Sequence, residues 1–206
     1  MKRTLIYIPV LHSPADMGSL ASSLSPSRDY RVQVERYWKR IEAELHALRR
    51  TWRGVRAYQD GLPDAGSDIV ARVVAEVDSP NYRLLRWLVG QSAVVIGTED
   101  PVLLQEEYEL LKASVADEAA RRVYAARAAQ LLEGRDRYIA ARIDATLPAG
   151  GTGILFIGLQ HHAARALPQD IAVRSLRCCR EFLAAVPDLA RRVGTQQRES
   201  RGGSRI

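Results

Sequence analysis

The chain has 206 residues, of which 47% are hydrophobic and 26% are charged, and its formal net charge at pH 7 is +6. This length suits one domain with a hydrophobic core and leaves little room for two full domains. No apolar run reaches the roughly 18 residues of a membrane-spanning helix, and the first run lacks the cleavage site of a signal peptide. The composition therefore excludes a membrane-spanning class, and we expect a globular cytoplasmic protein.

Most of the positive charge lies at the end of the chain. From Arg191 onward there are five arginines and one glutamate, a net charge of +4, so the rest of the chain carries about +2. We predict a disordered basic tail over 194–206. Contact with nucleic acid is the alternative, but the tail has no interleaved aromatic residues and no recognisable reading motif, so we expect no nucleic-acid partner.

Hydrophobic periodicity and Gly/Pro breaks divide the first half of the chain into alternating strands and helices. The clearest helix has apolar residues from Val34 to Leu48 at three- and four-residue steps. In chain order we predict a buried strand over 4–11, a loop or short helix over 13–28, a helix over 29–52, a short strand from 54 that breaks into a turn by 63, helices over 67–78 and 80–91, and a strand over 93–97.

The second half begins with some 45 residues of almost unbroken helix formers, from Pro101 to Leu147. Because this run is too long for one ordinary helix, we expect a break near Ala116–Asp117 or near Gly134. The remaining predicted elements are a fourth strand over 154–159, a fifth over 171–173 and a last helix over about 175–193.

Strands that alternate with helices indicate an α/β fold. We predict a mostly parallel sheet of about five strands with helices on both faces, in a single domain over 1–193. The adjacent Cys178 and Cys179 suit half-buried positions in a helix of a protein from a reducing compartment, because neighbouring cysteines rarely form a structural disulfide.

Polar side chains follow each of the four main predicted strands. They are His12 after the first, Gln59 and Asp60 after the second, Glu99 and Asp100 after the third, and His161 and His162 after the fourth. In parallel sheets, ligands and catalytic groups gather beyond the carboxyl ends of the strands, so we expect His12 and His161 to share one crevice. Neighbours in an extended chain point to opposite sides, and of the last two histidines we favour His161.

These residues suit two kinds of chemistry. Paired histidines and a carboxylate can hold a divalent metal ion (Mn, Zn or Co) on His12, His161 and Glu99, or can act directly as general base and acid. Arg135 precedes the fourth strand, where it could hold an anionic substrate group or stabilise an oxyanion. A solvated arginine and histidines with structural hydrogen bonds are the alternatives.

Two short motifs resemble those of the TraB/Tiki superfamily, a group that includes erythromycin-esterase-like and ChaN-like proteins. They are Gly158-Leu159-Gln160-His161 and Arg135-Asp136-Arg137-Tyr138-Ile139-Ala140. The resemblance spans roughly residues 4–173. It implies an α/β core with two Gly-x-x-His motifs and an acidic residue from the second strand. Some members hydrolyse peptide or ester bonds, Tiki proteins with a divalent metal ion, while others bind ligands or have no known activity.

By position, His12 and His161 match the two motif histidines, and Arg135 matches the helix arginine. Asp60 or Gln59 stands where the family has a glutamate, a role that Glu99 could take instead, and Pro9 replaces the glycine of the first motif. The resemblance implies a hydrolase of ester or peptide bonds that acts on a small-molecule or peptide substrate. The predicted site residues are His12, Asp60, Glu99, Arg135 and His161.

A non-catalytic ligand-binding or regulatory protein on the same fold is the alternative to the hydrolase. The leucines of the long helical region, among them Leu103, Leu104 and Leu111, fit either the core or the surface of a homodimer.

Overall fold

A computed structural model describes residues 1–13, 27–48 and 51–185. Their elements are β1 (Arg3–Val10), α1 (Arg28–Leu48), β2 (Arg56–Pro63), α2 (Ser67–Glu76), α3 (Pro80–Gly90), β3 (Val94–Glu99), α4 (Pro101–Ala116), α5 (Glu118–Thr146), β4 (Thr152–Gly158), a 3₁₀ turn (Ala163–Ala166), β5 (Ile171–Ser175) and a helix over 177–185, α6. The predicted order of strands and helices and the predicted α/β class are confirmed. Most of the predicted loop or short helix over 13–28, the last part of the predicted final helix and the predicted tail over 194–206 lie outside the described residues.

All five strands are parallel and lie in the order β3-β2-β4-β1-β5. In β1, Ile6 is opposite Ile154 of β4 on one side and Arg174 of β5 on the other. In β2, Tyr58 is opposite Leu155 of β4 and Ile96 of β3. Because β2, β4 and β1 are consecutive in the sheet and parallel, their carboxyl ends lie side by side at one edge.

Helices cover both faces of the sheet, because successive strand residues point to opposite sides. On one face, strand residues such as Ile6 and Phe156 share a core with α1, α2, α3 and α6. On the other face, Leu5 and Leu155 pack against α5. Cys178 and Cys179 are free thiols in the predicted last helix, and both are fully buried on the first face, although we expected half-buried positions.

The long helical region breaks at Asp117, the first of the two predicted positions. Asp117 has an extended backbone, and its carboxylate accepts hydrogen bonds from the N–H groups of Ala119 and Ala120. It therefore ends α4 and caps α5. Gly134 lies inside the continuous α5, so the other predicted break is wrong.

The carboxyl end of β2 carries a register shift that places Asp60. The pairing of β2 with β3 shifts between Gln59 and Pro63, and Gly61 has a φ of 68°, which glycine adopts at little cost. Asp60 thus lies within the longer β2 and Glu99 is the last residue of β3, although we predicted both just after their strands.

Candidate functional site

A cavity of about 480 Å³ lies at the carboxyl edge of the sheet, where the sequence predicted a crevice. Its floor comes from the ends of β1, β2 and β4, and α3, α4 and α5 supply walls. Four of the five predicted site residues line it: His12, Asp60, Arg135 and His161. This volume is in the range of small-molecule binding sites.

Gly158, the last residue of β4, is the point at which three predicted site residues meet. A Cβ atom built on this glycine would lie 3.2 Å from Asp60 Oδ2 and 3.6 Å from both His12 Nε2 and His161 Cδ2. The absence of a side chain at Gly158 therefore leaves room for two imidazoles and a carboxylate around one position. The central expectation, that His12 and His161 converge across about 150 residues of sequence, agrees with this geometry.

Asp60 is held by N–H donors at both carboxylate oxygens. Gln59 Nε2 donates to Oδ1 at 2.9 Å, and the backbone N–H of Gly158 donates to Oδ2 at 2.5 Å. Burial raises the pKa of the Asp60 carboxyl above its usual range, although His12, His161 and the Gly158 N–H act in the opposite direction. Asp60 is thus a buried group whose proton affinity depends on its immediate neighbours.

His161 is fixed in orientation by a carboxylate of α5. Its Nδ1 lies 2.7 Å from Asp136 Oδ1, and the other oxygen of Asp136 accepts the backbone N–H of His162 at 2.7 Å. Because a carboxylate accepts hydrogen bonds, Asp136 favours the form of His161 with its proton on Nδ1. The opposite nitrogen, Nε2, then faces Asp60 Oδ2 at 3.9 Å, which is too long for a direct hydrogen bond.

Arg135 binds two carboxylates on neighbouring elements. Its Nε and Nη2 donate to the two oxygens of Glu99 at 3.0 and 2.6 Å, and its Nη1 donates to Glu107 of α4. Burial alone would lower the pKa of Arg135, but the hydrogen bonds and charge of Glu99 outweigh this effect and hold the pKa above its usual value. The group therefore stays charged and ties β3, α4 and α5 together beside the cavity.

The structure thus separates the predicted site into two groups. His12, Asp60 and His161 meet at Gly158, whereas Glu99 and Arg135 bind each other. His162 is exposed and does not line the cavity, in agreement with our preference for His161.

Asp136 and Asn81 are site residues that the sequence did not reveal. Asp136 directly follows Arg135 in one of the two motifs. An acidic residue beside a motif arginine was the sequence signal that could have marked Asp136 as a site residue. Asn81 lies near the start of α3, lines the cavity and donates to Gln59. We find no sequence signal that marks it.

The metal site that the sequence predicted on His12, His161 and Glu99 does not fit the arrangement of these residues. Both oxygens of Glu99 are engaged by Arg135, and one also accepts the N–H of Gly61. Over residues 1–13, 27–48 and 51–185, no group of three or more His, Cys, Asp or Glu side chains is placed to hold a metal ion. A divalent ion at this edge of the sheet stays a prediction.

Comparison with models of known protein families, with curated proteins and with solved structures found no match to this chain. Within the part of the chain that the structure describes, no helix is long and apolar enough to cross a membrane.

Proposed function

We propose that the protein is a hydrolase that cleaves an ester or amide bond of a small uncharged acyl compound in this crevice. The observation that carries the proposal is the orientation of His161, with Nδ1 held by Asp136 and Nε2 directed towards Asp60. A histidine held by a carboxylate on one nitrogen and open on the other is the usual arrangement of a general base that activates water.

In the proposed reaction, His161 Nε2 takes a proton from a water molecule while the water oxygen attacks the carbonyl carbon of the substrate. The carbonyl electrons move to the oxygen, and a ring N–H of His12 stabilises that charge by a hydrogen bond. Asp136 and Asp60 stabilise the cationic form of His161 from its two sides. When the C–O or C–N bond breaks, His161 returns its proton to the leaving alcohol or amine.

The preference for an uncharged substrate follows from Arg135. The sequence suggested that this guanidinium holds an anionic group, but three of its five N–H donors already bind Glu99 and Glu107. An anion in the cavity would also lie near the carboxylates of Glu107 and Asp60, which line it. We therefore assign Arg135 to the support of the site and not to substrate binding.

The resemblance to the TraB/Tiki superfamily also supports a hydrolase, since its two clearest motifs carry His161, Asp136 and Arg135. A small-molecule or peptide substrate, a cytoplasmic location and a homodimer formed through the long helical region belong to the same proposal. A protein that binds a ligand in the crevice without chemistry is the alternative.

The test uses the full chain with p-nitrophenyl acetate, p-nitrophenyl butyrate and a panel of short peptide amides. We expect turnover by the wild type and a fall in kcat of at least about 100-fold in His161→Ala, the usual effect of losing a general base. His162→Ala is the matched control, because His162 gives Asp136 its backbone N–H and keeps it in the variant. Unchanged kcat in His161→Ala would refute the proposal.

Absence of turnover by the wild type on the whole panel would favour the ligand-binding alternative. Metal analysis of the purified wild type and of His161→Ala tests the predicted divalent ion. A metal present in the wild type and lost in the variant would assign His161 as a ligand.

A further inference from the structure

A chain of buried polar side chains runs from the start of α3 to Asp60. Ser79 Oγ lies 2.6 Å from Asn81 Oδ1, Asn81 Nδ2 donates to Gln59 Oε1 at 3.0 Å, and Gln59 Nε2 donates to Asp60 Oδ1 at 2.9 Å. The four residues are between 0% and 6% exposed. Buried amides of this kind are retained where each polar group has a partner, and here each member of the chain provides the partner of the next.

The direction of donation along this chain is fixed by a backbone carbonyl. Gln59 Nε2 also lies 2.8 Å from the carbonyl oxygen of Asp60, which can only accept a hydrogen bond. Gln59 must therefore present its NH₂ group to Asp60 and its oxygen to Asn81. Asn81 must in turn present its NH₂ group to Gln59 and its oxygen to the hydroxyl of Ser79.

We propose that Asn81 is a positioning residue that fixes the carboxylate orientation of Asp60 through Gln59. With Oδ1 held by Gln59, Oδ2 is directed to the N–H of Gly158 and towards His161. Without Asn81, the amide of Gln59 loses the partner of its oxygen and is held only through its NH₂ group, by Oδ1 and the backbone carbonyl of Asp60. The carboxylate of Asp60 is then held less firmly at Oδ1, which weakens the contact of Oδ2 with Gly158.

The hydrogen bonds from Ser79 to Asp60 do not depend on the reaction, but their importance for catalysis rests on the proposed function. The reporter is therefore the amide proton of Gly158, which lies beyond Asp60 on another strand and needs no substrate. A short hydrogen bond to a carboxylate moves such a proton strongly downfield in the NMR spectrum, so its position reports the Oδ2 contact.

The experiment compares wild type, Asn81→Leu, Gln59→Met and the double variant by amide NMR. We expect each single variant to shift the Gly158 amide proton upfield, and Asn81→Leu to cause no further shift in the Gln59→Met background, because one acts through the other. The variant Leu84→Ala is the control for general loosening of α3, because Leu84 is buried in the same helix but takes no part in the row of hydrogen-bonded side chains.

A Gly158 signal that does not move in Asn81→Leu, or that moves equally in the Gln59→Met background, would overturn the inference. If Asn81→Leu does not fold, the inference is tested by hydrogen exchange of the wild type. The side-chain NH₂ protons of Asn81 and Gln59 should exchange with solvent at least about 100-fold more slowly than those of free amides. Exchange at the free rate would equally overturn it.

The two proposals fail separately. A Gly158 shift without turnover of any substrate of the panel keeps the positioning role and favours the ligand-binding alternative over the enzyme. Hydrolysis with an unmoved Gly158 signal keeps the enzyme and refutes the role of Asn81. If both hold, Asn81→Leu should lower kcat and leave KM nearly unchanged, since Asp60 acts on the reacting histidine.

Discussion

Replacing Arg135 with methionine should strongly destabilise the fold. The side chain of Arg135 is 10% exposed and that of its partner Glu99 is 0% exposed, and two hydrogen bonds of 3.0 and 2.6 Å join them. Methionine fills similar space without charge or donors. Glu99 then keeps the N–H of Gly61 as a partner but has lost its counter-charge.

The magnitude follows from the burial of that carboxylate. Removing one member of a buried ion pair costs about 3–5 kcal/mol, because the remaining charge stays out of water without compensation. Glu107 is less affected, since its side chain is 17% exposed and it can turn to solvent. The double variant Arg135→Met/Glu99→Gln removes the buried charge with its partner, so it should recover about 2 kcal/mol relative to Arg135→Met.

Urea unfolding followed by tryptophan fluorescence measures both effects. For a domain of this size the expected loss corresponds to a fall in the urea midpoint of about 1–2 M. Arg137→Met is the matched control: Arg137 lies on the same helix, its side chain is 70% exposed, and its pair with Glu133 is on the surface. That change should stay within about 0.5 kcal/mol. An Arg135→Met midpoint equal to the control, or a double variant no more stable than the single, would refute the reasoning.

Two further predictions concern the position at which the site residues meet. Gly158→Ala places a methyl group 3.2 Å from Asp60 Oδ2, closer than an ordinary contact. Because this displaces the carboxylate, kcat should fall by about tenfold while the thermal midpoint changes little. An unchanged kcat would contradict the expected displacement of Asp60. Because burial raises the pKa of Asp60, the folded protein retains a proton that the unfolded chain releases above about pH 3.9. The stability contributed by this protonation is therefore present at low pH and declines as the pH rises through the raised pKa. The difference in unfolding free energy between wild type and Asp60→Ala should favour the wild type less at about pH 7 than at about pH 4. A difference that does not depend on pH would contradict this reasoning.

The sequence predicted the strands and helices well because their signals are local. The amphipathic stripe of α1 and the helix break at Asp117 are each readable from a few neighbouring residues. The strand order was not readable, because it depends on which faces of distant segments pack together. Its consequence is that β4 inserts between β2 and β1, which brings the carboxyl ends of three strands side by side.

Site residues were predictable where the residue type itself indicated a function. They were not predictable where the function depends on which other residues surround them in the fold. Histidines are few in this chain and their positions after strands stood out, so His12 and His161 were found. Arg135 was found but given a different role, since nothing in the sequence shows that Glu99 and Glu107 surround its guanidinium. Asn81 was missed because an asparagine near a helix start is common, and only its contact with Gln59 of β2 brings it to the site.

The placement of α5 links the two groups of site residues. Arg135 and Asp136 are neighbours, and successive residues of a helix point about 100° apart. One therefore reaches Glu99 on β3 while the other reaches His161 after β4. Because both contacts are at ordinary hydrogen-bond distance, a rotation of α5 would disturb both. The ion pair with Glu99 thus holds the same helix that carries Asp136 to His161, so the stability of one group and the orientation of the proposed general base depend on a single helix.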